Sequence, residues 1–206
     1  MTAAELRSTL ARPDLFDGLP QSFSDDAEGL SETGIKPAAV LVPIILHEGV
    51  PGILLTRRAA HLSTHAGQVS FPGGRMEPGE TPEQAALREA AEEVGLDPRL
   101  PVVIGRLPRH LTGTGYVITP IVASVEPPVS LTTDPGEVAA AFELPISILL
   151  DPAAPRRDSA MWKGRRREYW VWPHGEHHVW GATAAILVNL ARALRGDDRQ
   201  RNAAWA

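Results

Sequence analysis

Residues 73–96 read GGRMEPGETPEQAALREAAEEVGL, and the second half of this stretch is a fully specified helix. Thr81 can cap its N-terminus, Pro82 takes the first helical position, where no N–H is needed, and Gln84 completes a capping box. Gly95 supplies the left-handed stop. On a helical wheel Glu89, Glu92 and Glu93 fall within one sector of about 100°, and Leu87, Ala90, Ala91 and Val94 lie on the other side. One face therefore packs and the other presents three carboxylates, with Glu80 just upstream. Like charges at this spacing repel by a few tenths of a kcal/mol per pair. The nearest cation in sequence is Arg88, in the less favourable order relative to Glu92. A solvated face is the ordinary reading of such a pattern. The shortage of basic partners argues against it, as does the upstream Gly73-Gly74 turn, where missing side chains let a backbone carbonyl approach a ligand. Clustered carboxylates with a carbonyl are hard oxygen donors suited to Mg²⁺ or Mn²⁺. Such ions neutralise a diphosphate and acidify a bound water for in-line attack on phosphorus. Spacing alone carries the reading as far as metal-assisted phosphate-ester chemistry.

The whole chain is compatible with that chemistry. Its 206 residues suit one domain with an extension. A hydrophobic fraction of 43% and a charged fraction of 22% are those of a globular protein with a real core. The net charge of −5 argues against a dedicated nucleic-acid partner. There is no cysteine, which excludes disulfides, thiolate nucleophiles and Cys-based zinc sites and fits a reducing compartment. The longest apolar run, Ala38 to Leu46, is far short of the roughly 20 residues a membrane helix needs. The start, MTAAELRSTLARPDLF, lacks a signal peptide's basic and apolar regions. A cytoplasmic protein without a membrane partner is expected.

Residues 1–34 read as an N-terminal extension, a short helix followed by a polar segment, and residues 35–206 as the domain. Lys36 to His47 is an apolar β-rich run, Glu48 to Gly52 a turn and Ile53 to Thr56 a second strand, which together predict a hairpin. Val102 to Leu107 and Tyr116 to Val125 are further strands separated by LTGTG. Pro145 to Leu150 predicts a short helix, Met161 to Trp172 a hairpin turning at Lys163-Gly164, and Ala182 to Leu194 an amphipathic helix. The expectation is an α/β fold, a mixed sheet with helices on its faces.

Gly74, Glu80, Arg88-Glu89-Ala90, Glu92-Glu93 and Gly95-Leu96 stand at the spacing of the Nudix hydrolase box, and every fixed position of that box matches. The resemblance implies an α/β/α sandwich around a mixed sheet, and hydrolysis of a nucleoside diphosphate linked to another group. It implies that Glu89, Glu92 and Glu93 hold the divalent ions with the Gly74 carbonyl nearby. Arg88 would orient the glutamates, and Glu80 would support the loop or the outer shell. The base would be Glu89, Glu92 or a metal-bound hydroxide, and sequence does not choose among them.

The preceding stretch, LLTRRAAHLSTHAGQVSFPGG from Leu54 to Gly74, resembles the second motif of the coenzyme A pyrophosphatase branch of that family. Arg58, His65, Gln68 and Ser70 are then the expected substrate contacts. Ser63 departs from the pattern, since the branch usually carries arginine there. Weaker similarity reaches Thr114-Gly115, Thr119-Pro120, Glu137-Val138 and WGATAAIL at Trp180 to Leu187. Glu137, in DPGEVAAAFELP, is a candidate additional carboxylate, or else part of a surface turn ending in a strand. The implied reaction cleaves the diphosphate of coenzyme A or its acyl or oxidised derivatives into 3′,5′-adenosine bisphosphate and a 4′-phosphopantetheine species. A pyrophosphatase for ADP-ribose, dinucleotides or damaged nucleoside triphosphates is the nearest alternative, and a non-catalytic nucleotide sensor a third. A homodimer is left open.

Two further segments invite readings of their own. Arg156 to Trp172 interleaves six basic groups with Trp162, Tyr169, Trp170 and Trp172. A hairpin with its aromatic face packed and its arginines in solvent is the first reading, and a nucleotide contact the second. His174, His177 and His178 read as a plain turn and strand. The serines show no nucleophile elbow.

Overall fold

A computed structural model describes residues 1–24, 35–62, 64–162, 164–175 and 177–196. The run starting at Lys36 is apolar without alternation because its strand is covered on both faces. After helix α1 (Ala3–Leu10) and the short strand β1 (Ser22–Phe23), this strand, β2 (Lys36–Ile45), turns through residues 46–51 into β3 (Gly52–Arg58). The expected hairpin is present, with Ile44 opposite Ile53 and Ile45 opposite Gly52. Two short strands, β4 (Val69–Ser70) and β5 (Gly73–Arg75), lead into helix α2 (Pro82–Val94). Then come β6 (Val102–Arg106), β7 (His110–Leu111), β8 (Tyr116–Val125), β9 (Val138–Pro145) and the short helix α3 (Ile146–Leu149). Strands β10 (Arg156–Trp162), β11 (Arg165–His174) and β12 (His177–Trp180) precede the closing helix α4 (Gly181–Arg195).

Among the described residues, nine strands form one mixed sheet, and β10, β11 and β12 form a separate antiparallel one. Strand β2 pairs in parallel with β8 from Lys36 opposite Tyr116 to Ile45 opposite Val125. On its other side it holds β5, with Ala39 opposite Gly74 and Val40 opposite Gly73. Its side chains alternate between two cores. Ala39, Leu41 and Ile45 meet Ala85, Ala86, Ala90 and Val94 of α2. Val42 and Ile44 face the opposite way, into a larger cluster with Trp172 and with Leu187, Leu190 and Leu194 of α4. Helices thus cover both sheet faces, the α/β/α sandwich that the resemblance implied.

The expected segments correspond to β6, β8, α3, α4 and the β10–β11 hairpin, which extends beyond Met161 and Trp172 at both ends. Lys163 of its turn lies outside the described residues. Strand β9, expected only as the strand ending a surface turn at Glu137, pairs with β3 from Gly52 opposite Pro145 to Arg58 opposite Val138. The segment read as an N-terminal extension sends Leu6, Leu10 and Leu15 into the larger cluster. No helix among the described residues is long and apolar enough to cross a membrane.

Candidate active site

Helix α2 has the caps its sequence specifies. Thr81 accepts from the Gln84 N–H, Gln84 reaches back to the Thr81 N–H, and Gly95 closes the helix at φ 65°. Small residues at Ala85, Ala86 and Ala90 let the helix lie close on the sheet. This closeness changes the expected carboxylate face. The three glutamates are graded in exposure: the Glu92 side chain is 60% exposed, that of Glu89 17% and that of Glu93 4%. Glu93 therefore belongs to the packed side of the helix, while Leu87 is only half-buried.

The Gly-Gly turn is shaped by these carboxylates. A Cβ on Gly74 would stand 2.5 Å from Glu89 Oε1, and one on Gly73 would stand 2.5 Å from the Ala39 carbonyl oxygen. The Gly73 N–H donates to Glu93 Oε2 at 3.3 Å. Arg58, from the end of β3, brings Nη1 to 3.9 Å from Glu93 Oε1. Burial pushes the Glu93 carboxyl up to about 7, with Glu89 and Glu137 adding to the shift while Gly73 and Arg58 oppose it. Burial also raises Glu89, which Arg88 counters and which Glu92 and Glu137 reinforce. Glu137 thus sits within electrostatic reach of both Glu89 and Glu93.

The apparent shortage of cations in the sequence is corrected by the fold. Arg88 Nη1 donates to Glu89 Oε1 and to Glu92 Oε2, each at 3.0 Å. Its Nε and Nη2 donate to the two oxygens of Glu80 at 2.8 and 3.1 Å, and Nη2 also reaches the Arg75 carbonyl at 3.1 Å. Glu80 in turn accepts the Glu77 N–H at 2.8 Å, which ties the loop to the helix. Glu83, on the N-terminal turn, pairs with Arg106 at 2.6 and 2.9 Å.

A cleft of about 2300 Å³ opens beside this turn. Its lining brings together Arg58, His65, Gln68, Ser70, Gly73 and Gly74. His65 adopts φ 57° and its Nδ1 lies 2.8 Å from Gln68 Oε1. Ser70 Oγ is 3.1 Å from Thr56 Oγ1. Ser63 lies outside the described residues. Sequence reasoning missed Arg75, which hydrogen-bonds Tyr116 and stacks 5.4 Å above its ring. It also missed His110, buried at 1% with its ring nitrogens 2.8 and 3.0 Å from Ser22 and Ser24. Both line the cleft. No local signal marks either one, because their partners come from distant segments.

Among the described residues no three acidic or imidazole groups stand close enough to share one ion, since Arg88 draws Glu89 and Glu92 toward itself. The described histidines form no such group either: His174 and His177 oppose each other across β11 and β12 with ring centroids 6.2 Å apart, and His177 stacks on Phe142 at 3.6 Å. The chemistry of the glutamate set nevertheless fits a divalent cation. Glu89 and Glu93 are hard oxygen donors whose charge is disfavoured by burial and by acidic neighbours, and a cation would reverse that.

The NUDIX domain pattern matches residues 35–162, more than half of the chain. The chain belongs to the Nudix family. A Nudix hydrolase of Escherichia coli O7:K1, the uncharacterised NudL, is 40% identical over 157 residues, spanning 76% of this chain and 81% of that protein. The NudL of Photorhabdus laumondii is 40% identical over 161 residues, spanning 78% and 86%. Among solved structures, the Nudix hydrolase RenU from M. smegmatis is 26% identical with a TM-score of 0.50, spanning 64% of this chain and 83% of that one. The protein is a Nudix pyrophosphohydrolase, and Nudix hydrolases generally use divalent metal ions. The segment from Gly74 to Leu96, which resembles the Nudix box, lies within the matched residues.

Proposed function

We propose that this Nudix hydrolase cleaves the diphosphate of coenzyme A, or of its acyl or oxidised derivatives, into 3′,5′-adenosine bisphosphate and a 4′-phosphopantetheine species. One observation carries the reading. Arg58, His65, Gln68 and Ser70, from the stretch that resembles the coenzyme A branch, line a single cleft with Gly73 and Gly74. A water oxygen forms the new bond to phosphorus, the anhydride P–O bond breaks, and the bridging oxygen leaves with the other phosphate. Two phosphate monoesters result.

Glu89, Glu92 and Glu93, with the Gly74 carbonyl, would hold Mg²⁺ or Mn²⁺, which when bound neutralises the diphosphate and acidifies water. Arg88 is a positioning residue that fixes Glu80, Glu89 and Glu92 together. Glu89, seated against Gly74 at the cleft, is the better placed of the two candidate bases, because the Glu92 side chain is 60% exposed. Glu137 adds negative charge beside Glu89 and Glu93 and is a candidate fourth carboxylate of the site. Arg58 is a substrate contact that also offsets the charge of Glu93.

The test incubates the enzyme with coenzyme A, dephospho-coenzyme A, ADP-ribose, NADH and a nucleoside triphosphate, each with Mg²⁺ or Mn²⁺, and identifies products by mass. Coenzyme A should give the highest kcat/KM. Equal turnover of ADP-ribose and dephospho-coenzyme A would remove the coenzyme A assignment.

A further inference from the structure

The three-stranded sheet shares the cleft with Gly73, Gly74 and Arg75. Directly opposed residues in a sheet lie on one face, and every second residue along a strand returns to it. Ala160 opposes Arg167 and Asp158 opposes Tyr169 across β10 and β11. Val171 opposes Trp180 and Pro173 opposes His178 across β11 and β12. Arg167, Tyr169, His178 and Trp180 therefore occupy one face, and all four line the cleft. Aromatic groups of the three-stranded sheet stand in two different surroundings. Trp172 is fully buried in the larger core, whereas Trp180 is 38% exposed and Tyr169 is half-buried. Tyr169 and Trp180 meet edge to face, their centroids 5.5 Å apart at 62°. Aromatic rings on a cleft wall stack with planar groups, and both of these rings line the cleft.

This wall is tied to the substrate-facing loop. Thr183, in the first turn of α4 and three residues beyond Trp180, donates its hydroxyl to the Val69 carbonyl at 3.0 Å. Gly73, Gly74, Tyr169 and Trp180 line the same cleft, so phosphates at the turn and a base at the sheet would occupy one cavity.

We propose that Tyr169 and Trp180, with Arg167 beside them on the same face, form a subsite for the planar base of a nucleotide substrate. The subsite rests on the reading of the substrate as a nucleoside diphosphate derivative, and not on its being coenzyme A. Stacking holds the base, and Arg167 places a cation near the phosphate or sugar it carries.

The test measures binding of AMP and of ribose 5-phosphate, which lacks the base, to the full chain without metal or turnover. Wild-type protein should bind AMP at least roughly ten-fold more tightly than ribose 5-phosphate, the size of one stacked base. Tyr169→Ala and Trp180→Ala should each remove most of that difference, while Tyr169→Phe, which keeps the ring, and Met161→Ala, on the same hairpin but outside the cleft, should retain it. A melting curve shows that each variant is folded, and the two alanine variants serve as independent tests. Equal affinity for AMP and ribose 5-phosphate, or an unchanged AMP affinity in folded Tyr169→Ala, would overturn the subsite. A protein that binds AMP through its base yet leaves coenzyme A intact keeps the subsite and loses only the substrate assignment.

Discussion

The Glu89 carboxylate rests on Gly74 so closely that a Cβ at that position would stand 2.5 Å from its Oε1 and 2.6 Å from its Cδ. A glycine on one segment thus fixes where a carboxylate on another can be. Gly74→Ala should push the carboxylate away, because the atoms it meets are the free end of a flexible side chain. The fold should survive. Displacing a catalytic group by about 1 Å can lower kcat/KM by about 10²-fold, and steady-state kinetics beside a melting curve will show whether activity falls without stability. Gly73→Ala is the contrasting case, since its Cβ would meet backbone, Ala39 O at 2.5 Å and Val40 Cα at 2.6 Å. Overpacking there should destabilise by about 1–3 kcal/mol or more, visible as a lowered Tm. If the two alanine variants lose stability equally, the difference between side-chain and backbone neighbours is wrong.

Helix α2 was legible because its determinants are local: Thr81, Gln84 and Gly95 each act within five residues of their partners. Strand β9 was legible only in part. Its VAAAFELP has three alanines and little β-branched character, and what holds it extended is the ladder to β3. The two- and three-residue strands β4 and β5 are too short to show a period. At the site, the resemblance pointed to Gly74 and the glutamates, but a wheel could not show that Glu93 is buried. That follows from how near the alanines of α2 let the helix approach the sheet. The Arg58–Glu93 approach joins positions far apart in sequence and exists only once β3 and α2 are packed.

Arg88 holds three carboxylates and one carbonyl through a planar fork. A lysine has the charge but not the fork, so it cannot satisfy Glu80 in bidentate fashion while reaching Glu89. Arg88→Lys should lower kcat by about 10²-fold with a smaller change in KM, because Arg88 positions groups and is not expected to bind substrate. A larger effect on KM than on kcat would assign Arg88 to the substrate instead.

Leu6 of α1 is fully buried in the core shared with α4. Truncating a buried leucine to alanine costs about 2–5 kcal/mol. Leu6→Ala should therefore lower the urea midpoint substantially at an unchanged m-value. An unchanged midpoint would mean that the N-terminal helix is dispensable to the fold.

Glu93→Gln isolates the proposed metal role from the structural one. Glutamine keeps the size, the helix propensity and an oxygen able to accept the Gly73 N–H, so the apo protein should remain folded. What it loses is one anionic donor. The rate should fall by about 10²- to 10⁴-fold, as for loss of a positioned catalytic group, with partial recovery at high Mg²⁺ or Mn²⁺. A ligand that binds only the native state stabilises it by RT ln(1 + [L]/Kd), so metal should raise the Tm of the wild type and raise that of the variant less. Glu83→Gln is the control on the same helix. It breaks the partly exposed pair with Arg106, worth about 0.2–1 kcal/mol, and should leave both the turnover and the metal shift unchanged. Near-wild-type turnover with an undiminished metal shift in Glu93→Gln would show that Glu93 holds no metal, and its place beside Gly73 would then be structural alone.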